Sequence, residues 1–300
     1  MSNRMSLLLE GVRTQIEQEY QKPAPLWRTI PYMEKSDLEY MQKECSKDSE
    51  FDPMNARKTM LHRFETGKAP CEVRECDYGK VIVIYDGEEQ KKDLPWGLWG
   101  RILRRYTEKG SKPFRIFFLA SPHVRLFPKR WFREPNIHVG EEIKPQHING
   151  GYTYHCNRET IMIYRAEDAT RVLLHELMHS CCLDKMEKGI DQVEAETEAW
   201  AELLYIGFLS QGKAQLFRLL HQRQSDWMRV QDQAVKVHIK NLRDFPWRYT
   251  MGKEEVWQRW GILLPISAYE KEAQMSLRLT APPSDTIKRR FYVSPKSTIL

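Results

Sequence analysis

Apolar residues along this chain change their spacing several times, and each change marks an element. Residues 80–85 (Lys-Val-Ile-Val-Ile-Tyr) form a β-branched run closed by Asp86 and Gly87, which predicts a strand and a turn. Trp99, Ile102, Leu103 and Tyr106 recur at helical spacing across 99–109, and Gly110 stops the pattern. Residues 114–120 (Phe-Arg-Ile-Phe-Phe-Leu-Ala) read as a second apolar strand. Two short strands, 151–155 and 160–164, flank a polar turn of Asn157, Arg158 and Glu159. A helix is then predicted over 169–182, with Glu167 and Asp168 suited to its positive N-terminus. A second follows over 192–209, ending near Gly212, and a third over 213–240. Residues 1–70 read as helical and charged, broken at 22–25 and near Pro53, and residues 121–150 as a basic, Pro-containing connection. The tail from Asn241 is mixed and Trp-rich, ending in Pro-containing strand or coil. The expected fold class is α+β, a small mixed sheet with a helical C-terminal half. The expected organisation is a helical extension over 1–70, a core over 71–215, and a helical or mixed region over 216–300.

Composition narrows this picture. Of the 300 residues, 41% are hydrophobic, and 13 Tyr, 11 Phe and 9 Trp supply bulky core material, which excludes a disordered chain. The longest apolar runs, 81–85 and 117–120, are strand-sized and far too short to span a bilayer. At the start, Leu7, Leu8 and Leu9 run directly into Glu10, which is no signal peptide, and the expected location is cytoplasmic. The six cysteines (45, 71, 76, 156, 181 and 182) make no recurring framework and no Cys-x-x-Cys pair, so reduced thiols are expected and a cysteine zinc site is not. The net charge of +6 suits acidic protein partners. Its clusters (Arg101, Arg104 and Arg105; 129–133; Lys288, Arg289 and Arg290) are too dispersed to mark a nucleic-acid reader.

The candidate chemistry lies in residues 175–179, His-Glu-Leu-Met-His. Residues four apart share one helix face, so His175 and His179 can grip one ion, while Glu176 reaches a water beside it. Leu173, Leu177 and Cys181 form one apolar row and Leu174, Met178 and Cys182 another, so the ligand face is the margin of a buried helix. A catalytic zinc takes three protein ligands and keeps one open position. Glu194, Glu198 and Glu202 follow at helical spacing, interleaved with Trp200, Ala201, Leu203 and Leu204. This helix is therefore packed, and a buried acid needs a partner. Periodicity allows any of the three as ligand. Glu198 is the middle choice, with eighteen residues between it and His179, which leaves room for a reversal through 185–191 and a return helix in which Ala199 and Ala201 permit close approach.

These motifs resemble the gluzincin branch of the zincin metallopeptidases, which combine HExxH with a downstream helical Glu; eighteen intervening residues is the spacing of the aminopeptidase-type members. Glu198-Ala-Trp-Ala-Glu202 is similar to their Glu-Gly-Phe-Ala-Glu and to the Glu-Ala-x-x-Asp of thermolysin-like enzymes. The resemblance implies a zincin-like core over 71–215, Zn2+ on His175, His179 and Glu198, and Glu202 as the acid that holds His175. Glu194 is then a carboxylate beside the ligands. The motifs cover roughly 150–212, under a quarter of the chain. Three departures stand out: Lys185 where a metzincin would place its third His, no GxMEN signature, and Thr197 where thermolysin-like enzymes carry Asn. Residues 148–154 and 160–165, followed by the HExxH helix, also resemble predicted metallopeptidases of nucleocytoplasmic large DNA viruses, which implies infected-cell cytoplasm or the virion as location.

The expected function is a zinc-dependent peptidase acting on polypeptides, with Glu176 as general base. Tyr205, His221 and Tyr249 are candidate oxyanion donors. Strand 160–164 is the expected sheet edge for an extended substrate. His155 and Cys156 come shortly before the metal helix and are within reach of it in sequence; the remaining histidines are read as structural. The rival reading is a virion-associated structural protein that keeps the zincin fold and zinc without turnover. Glu176 argues against it, because a structural site needs no base.

Overall fold

The two strongest apolar runs become the centre of a six-stranded mixed sheet. The computed structural model describes residues 3–92, 94–127, 142–236, 245–267 and 278–279. Its strands are β1 (Arg28–Ile30), β2 (Cys71–Cys76), β3 (Gly79–Tyr85), β4 (Phe114–Ala120), β5 (Gly151–Tyr152) and β6 (Ile161–Ile163). Their order is β1-β2-β3-β4-β6-β5. The β3–β4 and β4–β6 pairs are parallel and the other three antiparallel.

Both faces of the centre are covered, which is why β3 and β4 read as continuous apolar runs rather than as alternation. On one face Ile82, Ile84, Phe117, Leu119 and Met162 pack with Met41 and Cys45 of α2 (Lys35–Ser46) and Met60 and Leu61 of α3 (Ala56–Glu65). On the other, Trp99 of α4 (Trp96–Tyr106) tilts against Phe118 and donates its indole N–H to Thr170 Oγ1 at 2.9 Å. Thr170 opens α6 (Ala169–Ser180), the helix that carries the HExxH residues.

The chain divides into two compact units that are not the three sequential segments expected. Among the described residues, the sheet unit comprises those of 23–124 and 149–183, and a helical unit those of 3–22, 125–148 and 184–279. The helical unit contains α1 (Asn3–Gln21), α5 (Pro145–Ile148), α7 (Ile190–Ser210), α8 (Ala214–Lys236), α9 (Phe245–Tyr249) and α10 (Met251–Trp260). It is organised around α7. Tyr20 of α1 donates to the Phe208 carbonyl, Trp257 of α10 to the Ala199 carbonyl at 3.0 Å, and Trp200 packs on Trp260. No helix of the described residues is long and apolar enough to cross a membrane.

Several expectations are corrected. Strand 160–164 is not the sheet edge: β5 pairs outside it, Gly151 opposite Ile163 and Tyr152 opposite Met162, and itself forms the edge. The strand expected over 151–155 stops at Tyr152 because the chain turns, with Cys156 at φ 59°. Two strands were not anticipated. In β2 the charged Glu72, Arg74 and Glu75 dilute the apolar signal, and three-residue β1 is too short to carry one. The Trp-rich tail contributes two helices, α9 and α10; its Pro-containing end lies outside the described residues, as do 237–240 and the basic clusters at 129–133 and 288–290.

Candidate metal centre

The helix α6 is buried along almost its whole length, as its double apolar row requires. It starts after Asp168, whose φ of 56° is left-handed, with the Val172 amide donating to the Asp168 carbonyl. Its end is tied down twice through one residue: the amides of Cys156 and Cys182 both donate to the His179 carbonyl, at 3.0 and 3.2 Å.

His175 and Glu176 are buried and His179 half-buried. The two imidazoles stand edge to face with centroids 4.6 Å apart, and their Nε2 atoms approach to 2.9 Å. A tetrahedral zinc with bonds of about 2.0–2.1 Å holds two such nitrogens roughly 3.3 Å apart. The pair therefore needs only a slight opening to share an ion. Glu176 Oε1 lies against Gly151 of the edge strand, 3.3 Å from where a Cβ would stand on that glycine.

Ligand atoms of His175, His179 and Glu194 all lie within 4.8 Å of one another, a group that could hold a metal ion. Two imidazoles and a carboxylate are the donor set of catalytic zinc sites, so these residues fit the ion. The acid in this group is Glu194, whereas sequence spacing favoured Glu198, one turn later on α7. Glu198 is buried on that helix. Glu202 is fully buried and Oε1 accepts from Lys253 Nζ at 3.1 Å, an ion pair with no sequence signature.

The oxyanion candidates have different settings. His221 is a core residue: its ring packs between Phe217 and Trp257, and burial pushes its pKa down to about 4. It is thus neutral at ordinary pH and shielded from solvent. Tyr205 is buried in α7. Tyr249 rests on Phe245 in a cluster with Val235 and Ile148.

His155 and Cys156 are outside the metal-capable group. Cys156 is instead joined to Cys182 by a disulfide with a Cα–Cα distance of 4.8 Å, which corrects the expectation of reduced thiols throughout. The turn before β6 and the turn after α6 bring the two together, although they stand 26 positions apart in the sequence. Cys45, Cys71, Cys76 and Cys181 remain thiols, and burial raises the pKa of each. The residue that sequence reasoning missed is Gly151. The Gly150-Gly151 doublet at the start of a strand was the available signal, because glycine in a strand often marks close backbone approach.

Comparison of the chain with family models, curated proteins and solved structures returns no match.

Proposed function

We propose that the chain is a zinc-dependent peptidase of the gluzincin type, built on a zincin-like core. The observation that carries this reading is one buried helix presenting two imidazole nitrogens 2.9 Å apart, with the carboxylate of Glu176 between them in sequence and an acid from α7 within reach. A purely structural site has no use for a buried fourth group of that kind. The ligands in this proposal are His175, His179 and Glu194. Moving the ligand one turn along α7 also moves the acid that follows it by four residues, so Glu198 takes the role of bracing a ligand histidine that sequence reading gave to Glu202. Lys253 supplies the partner for Glu202.

Zinc in this site would supply an acidified water and a Lewis acid for the scissile carbonyl. Glu176 accepts the proton at its carboxylate and delivers it to the leaving amine nitrogen. Burial keeps bulk water from competing for that proton. His175 and His179 act as neutral donors, each through Nε2. A polypeptide with acidic character suits the net charge of +6. The resemblance to predicted viral metallopeptidases supports infected-cell cytoplasm or the virion as its location.

The test is metal analysis beside hydrolysis of casein and a peptide library. One zinc per chain and hydrolysis are expected. Glu176→Gln should keep the zinc and the fold while hydrolysis drops by at least about 100-fold, because an amide cannot accept the proton. Zinc binding with no hydrolysis by the wild type would leave a structural role; wild-type turnover by Glu176→Gln would remove the assigned base.

A further inference from the structure

In the edge strand, Gly151 lies against α6 at Val172 and Glu176. A Cβ built on it would lie 2.5 Å from Val172 Cγ1, 2.9 Å from the Met162 carbonyl oxygen and 3.3 Å from Glu176 Oε1. The first two are closer than real Cβ contacts come. The Met162 oxygen belongs to the backbone of β6, to which β5 is paired, so it cannot swing aside. Val172 lies one turn before Glu176 on the same helix face.

We propose that Gly151 is a positioning residue for Glu176. The missing side chain lets β5 approach α6 until its bare backbone forms a wall for the carboxylate. Glutamate has three rotatable side-chain bonds, and a buried one with room around it would occupy several rotamers. The wall removes those that lean towards the strand. An alanine here would have to clear Val172 by about 1 Å and displace the carboxylate, 3.3 Å from its Cβ, by a few tenths of an ångström. Since a misplacement of about 1 Å costs on the order of 100-fold in rate, a shift of this size costs about 10-fold. The catalytic consequence rests on the peptidase reading; the packing consequence does not.

The experiment uses the full chain with zinc bound. Gly151→Ala alone overlaps Val172 and could fail to fold, so Gly151→Ala is combined with Val172→Ala, which removes that overlap and leaves those with Met162 and Glu176. Val172→Ala alone is the control and should keep kcat within about twofold of wild type. The double variant should bind one zinc and keep KM, while kcat falls by about 10-fold. Its crystal structure should show the Glu176 carboxylate displaced while the His175 and His179 rings superpose on wild type. A double variant with the kcat of the Val172→Ala control, or with Glu176 unmoved, overturns the proposal. If the wild type binds zinc and hydrolyses nothing, the peptidase reading falls, and the position of Glu176 in the double-variant structure alone decides whether Gly151 holds it.

Discussion

Lys253 and Glu202 are both fully buried, and neither charge could stand there alone. Lys253 Nζ donates to Glu202 Oε1 and to the Leu279 carbonyl, so one ammonium satisfies groups from two other segments. Removing one member leaves the other charged in a dry interior. Lys253→Met should therefore cost about 3–5 kcal/mol, measured by urea unfolding, whereas Lys253→Met with Glu202→Leu should recover most of the loss. Recovery of nothing would mean that the pair is not what holds this spot together. In the proposed site, the acids one and two turns earlier on α7 are told apart by metal binding rather than by stability. Glu194→Ala should abolish tight zinc binding, and Glu198→Ala should weaken it by about 10–100-fold, read by chelator competition. Equal losses, or a larger loss for Glu198→Ala, would return the ligand to the position that sequence spacing favoured.

Among the elements, α6 is held firmly at its C-terminal end. The His179 carbonyl accepts two amides, from Cys156 and Cys182, and the disulfide between those same residues closes the loop they bound. The crosslink spans a sequence separation of 26, and confining an unfolded loop of that length stabilises the native chain by about 3 kcal/mol. Reduction, or Cys156→Ser with Cys182→Ser, should lower the thermal midpoint by the equivalent of that figure. An unchanged midpoint under reducing conditions would show that the bond contributes nothing. In the helical unit, Gly207 plays the corresponding part for α1, since a Cβ there would come within 2.3 Å of Ile16 Cδ1.

For the molecule as a whole, two buried groups of the helical unit set opposite pH dependences. Burial raises Glu254 of α10 to about 7, and the negative charge of the neighbouring Asp232 on α8 adds to the rise. The folded state then holds a proton that the unfolded chain has released, so this contribution is complete below about 4.5 and is lost as pH rises towards 7. His221 runs the other way. Depressed from 6.5 to about 4, it binds fewer protons folded than unfolded, so its contribution is present above 6.5 and lost as pH falls towards 4. Across 4.5 to 6.5 the two oppose each other. Relative to wild type, Glu254→Gln should make stability rise more steeply with pH in that window, and His221→Phe should make it fall more steeply. Urea midpoints at pH 5 and 6.5 check both. Slopes that move in the same direction in the two variants would contradict the assignment.

Periodicity along the chain determined the elements that carry the site. The continuous β-branched and aromatic runs of β3 and β4, the His pair one turn apart on α6, and the three acids on α7 are local patterns, and local spacing is enough to put residues on one face of one element. That is why β4, α6 and α7 lie within a few residues of where the pattern predicts them. What the tertiary structure alone decided are relations between elements. Glu194, Glu198 and Glu202 are equivalent by periodicity, and sliding a helix by one turn, about 5.4 Å, exchanges one for the next. The edge position of β5 depends on its pairing with β6, a hydrogen-bond choice made by the backbone rather than by its two residues. The Cys156–Cys182 bond and the Lys253–Glu202 pair join residues 26 and 51 positions apart, and no local spacing records such meetings. Many packed side chains set each of them at once, because the rotation and offset of an element minimise the strain of its whole interface.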